Sequence, residues 1–272
     1  MPSPRRTAAE IEAESEAESE AELPGLPPVT ISEHLGVRYL HLGSIWIQGG
    51  MRMRDPQVVE LDYVQRMLAS LLWLPTEQLG QGRAVQLGLG AGAITRFTLQ
   101  QLQMPTTAVE INPLVISACR LWFALPDEHP RLQLARMDAL RWLRLEARPA
   151  SVQLLHVDLY DHEAAAPVLD DEAFYAACRR LLQPGGVMSV NLFGRHASFA
   201  ASAARIAAVF GSDQVWSLRP TREGNTVVVA GQGVRVPTRA VLLQRAATIE
   251  QRFGALGLPA RRWLRMVRPY RA

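Results

Sequence analysis

The chain has 272 residues, 48% of them hydrophobic and 20% charged, enough for one large α/β domain with a small appendage and too apolar for a disordered or fibrous protein. All 29 basic residues are arginine, which excludes Schiff-base lysine chemistry and a phosphate-loop lysine. Cys119 and Cys178 are too few and too far apart for a disulfide scaffold or a cysteine metal site, and no apolar run approaches the roughly 20 residues of a membrane span, so a cytoplasmic chain is expected.

Residues 1–28 form an acidic leader with seven glutamates between Glu10 and Glu22 against Arg5 and Arg6. Such a segment buries too little apolar surface to offset its ordering entropy, and Pro27-Pro28 ends it with a stiff boundary. The remaining body carries a net charge of about +8 by the same count. Residues 29–75 hold three short strand-like runs punctuated by Gly36, Gly43 and Gly49-Gly50, which predicts a small antiparallel sheet. A helix is expected to start at Asp55-Pro56, with Val59, Tyr63, Met67, Leu68, Leu71 and Leu72 on one stripe, and to end before Pro75.

Residues 76–236 alternate strands with helices. Strands are predicted over 83–87, 106–110, 131–135, 152–158 and 187–193, the last following the stop signal Pro184-Gly185-Gly186. Two further runs, 214–218 and 225–230, are joined by so short a link that they must be antiparallel. The order predicts a parallel sheet covered on both faces, a Rossmann-like α/β unit of seven strands with the last inserted antiparallel, as in the class I methyltransferase fold. Residues 237–272 read as a helix and a basic tail. Contact of that tail with nucleic acid or acidic membrane is disfavoured against a helix that packs its Trp263.

Gly88, Gly90 and Gly92 stand where the first of these strands feeds a helix, so the turn is sharp and a ligand can touch bare backbone. Glu110 ends the next strand about 20 residues on, where a carboxylate can accept both hydroxyls of an adenosine ribose. Asp138 and Ala139 follow the third strand, placed to pair with adenine. Asp138 is also a good helix cap, and the two roles are compatible. Asp158 and Asp161 close the fourth strand, across the crevice from the glycines, where two acids can take a proton from an ammonium nucleophile and hold its charge. No histidine pair has metal-ligand spacing, so no metal is expected.

With those residues in place the chain resembles the spermidine synthase family of polyamine aminopropyltransferases, from about Ile45 to Gly231. Ile45-Trp46-Ile47-Gln48 is similar to the family strand whose glutamine touches the nucleoside, and residues 55–67 to its tyrosine-bearing helix, which assigns Tyr63 to the site. Asp158-Leu159-Tyr160-Asp161 resembles the family's paired aspartates, the first a general base and the second beside it. The resemblance implies decarboxylated S-adenosylmethionine as co-substrate, a small-molecule amine as acceptor, and a homodimer through the N-terminal β-region. The chain departs from the family pattern at four places, one of them the proline-rich segment after the paired aspartates, which here reads His162-Glu163-Ala164-Ala165-Ala166-Pro167-Val168. Ala91 replaces the acid that grips the donor's ammonium end, Arg222 replaces a tyrosine over the amine tunnel, and Tyr63 lies one residue farther from Met67 than the pattern has it. Two other readings therefore stay open, an S-adenosylmethionine-dependent methyltransferase and a catalytically inactive nucleoside-binding homologue.

Overall fold

The computed structural model describes residues 25–159, 169–193 and 197–271. The leader up to residue 24, and Asp161 with it, lie outside the described residues. The first three strands, β1 (Val29–His34), β2 (Val37–Leu42) and β3 (Ile47–Arg52), form an antiparallel sheet in that order. His34 pairs with Val37, so Leu35 and Gly36 are the whole hairpin loop. Both have positive φ, 48° and 79°, the geometry that matches the right-handed twist of the strands it joins.

The expected seven strands are present, and their order places the crevice. The large sheet comprises β4 (Ala84–Leu87), β5 (Thr106–Glu110), β6 (Leu132–Arg136), β7 (Val152–Val157), β8 (Leu182–Phe193), β9 (Val215–Leu218), β10 (Asn225–Gly231) and β11 (Val267–Pro269). They run in the spatial order β11-β9-β10-β8-β7-β4-β5-β6. Strands β6, β5, β4, β7 and β8 are parallel, and β10 is antiparallel to both β8 and β9. The chain reverses direction across the sheet between β4 and β7, the topological position where open α/β sheets place ligands.

Side chains alternate between two apolar layers. Val227 and Val229 of β10 face Leu68, Leu71, Trp73, Ile249 and Trp263, while Val228 and Ala230 face Phe174, Cys178 and Ile206. Both faces are therefore covered, as a mostly parallel sheet requires. Helices α1 (Asp62–Met67), α2 (Ala93–Arg96), α4 (Ala139–Leu145), α5 (Glu172–Leu181), α6 (Ala197–Phe210), α7 (Arg239–Phe253) and α8 (Ala260–Trp263), with a 3₁₀ segment over Leu68–Trp73, supply these layers, while α3 (Pro113–Trp122) packs separately on Leu89, Ala108 and Leu125. Among the described residues no helix is long and apolar enough to cross a membrane.

Four local expectations are corrected. The helix expected from Asp55 begins only at Asp62, because the Val59 amide is captured by the Leu256 carbonyl at 2.9 Å and the preceding turn closes between Val58 and Asp55. Pro184-Gly185-Gly186 does not separate α5 from its strand. Leu182 already pairs with Val152, and the register shifts before Leu154 meets Val187, so the three residues form an irregularity inside β8. The basic tail is not helix alone, since Val267–Pro269 adds an eighth strand against β9. Finally, Gly25 to Pro28 belongs to the folded body: Gly43 donates to the Pro28 carbonyl at 2.8 Å and Asn112 Nδ2 to that of Pro27 at 3.0 Å.

Candidate functional site

A cavity of about 300 Å³ opens at the carboxyl ends of β4, β5, β6 and β7, within the size range of small-ligand sites. Gln48, Gly88, Gly90, Glu110, Asp138, Ala139 and Asp158 all line it, so seven of the residues singled out from sequence converge. Tyr63 stands on an adjoining small cleft that shares Gln48, Gly90 and Asp158 with the cavity. Gly92 does not line it. It caps the start of α2 with φ of 69°, so its flexibility serves the turn into the helix.

The glycine turn is dictated by crowding. A Cβ on Gly88 would lie 2.1 Å from the Asp158 carbonyl oxygen, and one on Gly90 would lie 3.0 Å from that of Gln48. Only bare backbone lets the end of β4 pass so close to β7 and β3. Ala91 is buried, and a Cβ on Gly49 would come within 2.5 Å of it. The place where the family pattern has an acid is thus filled by an alanine packed on the glycine backbone of β3.

Glu110 is held by the main chain. The Leu89 amide donates to its Oε2 and the Asn112 amide to its Oε1, each at 2.9 Å. Burial pushes its pKa up, and those amides pull against that shift. A carboxylate has about four lone-pair directions, so two amides leave acceptor capacity for hydroxyls in the cavity. Asp138 accepts from the Arg141 amide at 2.8 Å and so caps α4, while also lining the cavity. Capping and a ligand-facing position coexist. Gln48 presents an Nε2 with no hydrogen-bond partner. A buried amide donor without a partner costs stability, and Gln48 itself lines the cavity.

Asp158 follows β7 and is held by side chains. Asn191 Nδ2 donates to its Oδ1 at 2.8 Å, and Tyr63 hydrogen-bonds to it while also lying 3.1 Å from the Gln48 carbonyl. Burial outweighs both bonds and pushes the Asp158 pKa up to about 6. A carboxylate so placed is deprotonated at neutral pH yet basic enough to take up a proton. Arg222 is exposed and does not line the cavity. The loop it belongs to is anchored by Arg66, which donates to the Arg219 carbonyl and pairs with Asp62 at 2.6 Å.

Sequence reading missed Asn191, an amide in the apolar run of β8 and only 4% exposed. A lone amide at the carboxyl end of a buried strand was the available signal. It also missed the apolar wall of Leu26, Pro27, Leu40, Leu42, Met137 and Leu169, for which no local pattern exists. Among the described residues no group of three His, Cys, Asp or Glu side chains could hold a metal ion.

No protein-family model matches the chain. A polyamine aminopropyltransferase of Chromobacterium violaceum is 32% identical over 231 residues, spanning 84% of this chain and 86% of that protein. Among solved structures, a probable spermidine synthase from Corynebacterium glutamicum aligns with a TM-score of 0.67 at 19% identity, over 89% of this chain and 94% of that one. Human methyltransferase-like protein 13, in complex with SAH, aligns with a TM-score of 0.61 at 21% identity, over 78% and 96%. The structural likenesses establish the shared fold, on which more than one chemistry is built. The sequence likeness covers most of both proteins, and by it the chain belongs to the polyamine aminopropyltransferase family.

Proposed function

We propose that the protein transfers the aminopropyl group of decarboxylated S-adenosylmethionine to a small amine, with Asp158 as the general base. The carrying observation is a carboxylate of pKa about 6 in the same cavity as Glu110. Glu110 takes the ribose hydroxyls, Asp138 and Ala139 the adenine edge, and Gln48 donates through its open Nε2. Gly88 and Gly90 let the sulfonium-bearing arm lie against backbone, and Gly92 serves them by turning the chain into α2. Asp158 accepts the proton that the acceptor's ammonium group gives up. The freed nitrogen lone pair then forms a bond to the aminopropyl carbon as the carbon–sulfur bond breaks. Its electron pair returns to sulfur, giving methylthioadenosine and a longer polyamine. Tyr63 orients Asp158, and Asp161 is assigned a place beside the acceptor by the family resemblance. Sulfonium is already an activated leaving group, so orientation and exclusion of water supply much of the acceleration.

Family membership supports a cytoplasmic enzyme. Ile45, Trp46 and Ile47, consecutive exposed apolar residues where β2 turns into β3, support a homodimer through that sheet, since exposed apolar clusters mark association surfaces. Incubation with the decarboxylated donor and a panel of diamines should release methylthioadenosine. A second reading, methyl transfer from S-adenosylmethionine, is favoured by one observation, the buried Ala91 where no acid can repel a donor carboxylate. Adenosylhomocysteine as the product, with the carboxylated donor preferred in calorimetry, would establish that reading instead.

A further inference from the structure

The hydrogen bond that holds Asp158 is the last link of a longer chain. Val157 pairs with Val190 across β7 and β8, which sets Asp158 and Asn191 side by side at the strand ends. Asn191 Nδ2 donates to Asp158 Oδ1 at 2.8 Å, and its Oδ1 accepts from Asn225 Nδ2 at 3.2 Å. Asn225 Oδ1 in turn accepts from the Thr221 hydroxyl at 3.4 Å. The turn is closed by its own backbone, with the Thr221 amide donating to the Asn225 carbonyl at 2.8 Å. Every donor in the series points toward Asp158. An amide alone can offer a carboxyl group either its NH2 or its oxygen, and the two choices favour opposite protonation states. Here the second amide couples the choice, because turning Asn191 over alone would set its NH2 against that of Asn225, so the two amides can only turn together.

We infer that Asn191 and Asn225 form a two-amide relay that holds Asp158 in its proton-accepting state and ties it to the Thr221–Asn225 turn, which makes Asn191 a positioning residue. The inference rests on the aminopropyl-transfer reading only for the identity of the reaction; the relay itself is a property of the carboxyl group. The other groups facing Asp158 are the Tyr63 hydroxyl from α1 and the Glu110 carboxylate from β5. Neither is touched by changes at 191 or 225, and Arg222 and Glu223 of the turn are exposed.

The test measures the full chain in two ways, the pH profile of kcat/KM for the amine and an infrared titration of the carboxyl band that Asp158→Asn abolishes. In Asn191→Leu the acid midpoint should rise by roughly one pH unit, since a hydrogen bond to the charged form is lost. Activity should recover at higher pH, and methylthioadenosine binding should stay within two-fold or so of the wild type. Asn225→Asp should also raise the midpoint, because a carboxylate at 225 draws the Asn191 NH2 away from Asp158. In the Asn191→Leu background it should add little. An unchanged midpoint in Asn191→Leu would overturn the relay, as would an Asn225→Asp shift of the same size with and without Asn191, which is plain charge repulsion. Thr221→Val, nearly isosteric, gives a smaller shift of the same sign if the relay holds and none if it does not. Should the wild type release no methylthioadenosine, the reaction is misassigned, while the infrared midpoint still decides the relay.

Discussion

Glu110 and Asp158 stand on either side of β4, both buried and both with pKa pushed up by that burial, yet they are held by different means. The proposed nucleoside half of the crevice fixes its acid with two backbone amides, which cannot turn over or leave without unfolding β5 and the glycine turn. The proposed acceptor half fixes its acid with Asn191 and Tyr63, both neutral side chains. On the proposed reading, the acid that binds is set in main chain, and the acid that gains and loses a proton is set among neutral side chains. On that reading the division separates binding from chemistry within one small cavity.

The sharpest way to break that division is to neutralise each acid in turn. Asp158→Asn should lower turnover by roughly 10²- to 10⁴-fold, the usual contribution of a positioned base, and leave methylthioadenosine affinity within a few-fold by calorimetry. Retained turnover would remove Asp158 from the chemistry. Glu110→Gln should do the converse, weakening nucleoside binding by about 10- to 100-fold, since a hydrogen bond to a charged group is worth about 1.5–3 kcal/mol. If turnover at saturating donor fell as far as in Asp158→Asn, the two halves would not be separable.

The same contrast appears in stability. Burial raises the Asp158 pKa from 3.8 to about 6, so between those values the folded chain binds more protons than the unfolded one. Folding stability therefore falls as pH rises through that window, and the penalty is fully present above it. Asp158→Asn should be more stable than wild type at pH near 8, by about 1–2 kcal/mol once solvent entering the cavity is allowed for. The gain should vanish toward pH 4. Thermal melts across the range would show it, and a wild type that is the more stable at pH 8 would contradict the assigned shift. In turnover the sign is reversed, with activity lost as pH falls through about 6.

How far these features were readable from sequence follows the physics of each. Strand order was legible because apolar runs, glycine turns and short links are local signals. Glu110, Asp138 and Asp158 were legible because they sit at strand ends, where a change from apolar to charged residue is visible in one dimension. The start of α1 was not, because the competing partner of the Val59 amide is Leu256, nearly two hundred residues away. Pro184-Gly185-Gly186 read as a break and is an irregularity within a strand, since Gly185 takes a φ of 80° that lets the chain bulge and rejoin. Asn191 and Asn225 are single amides in apolar strands, meaningful only once β7, β8 and β10 lie side by side.

Leu26 gives the smallest and most discriminating test of the nucleoside half. The segment that leads into β1 passes beside the cavity, with Gly25, Leu26 and Pro27 in its wall and Pro27 tied to Asn112, two residues from Glu110. Leu26 is half-buried with no ligand present, so a nucleoside seated on Glu110 would cover more of its side chain. Covering about 40 Å² of apolar surface is worth about 1 kcal/mol. Leu26→Ala should therefore weaken methylthioadenosine binding by about five-fold and leave the acid midpoint of turnover unmoved. An unaltered affinity would mean that the segment before β1 only covers the sheet, whereas a shifted midpoint would mean that the two halves of the crevice communicate through it.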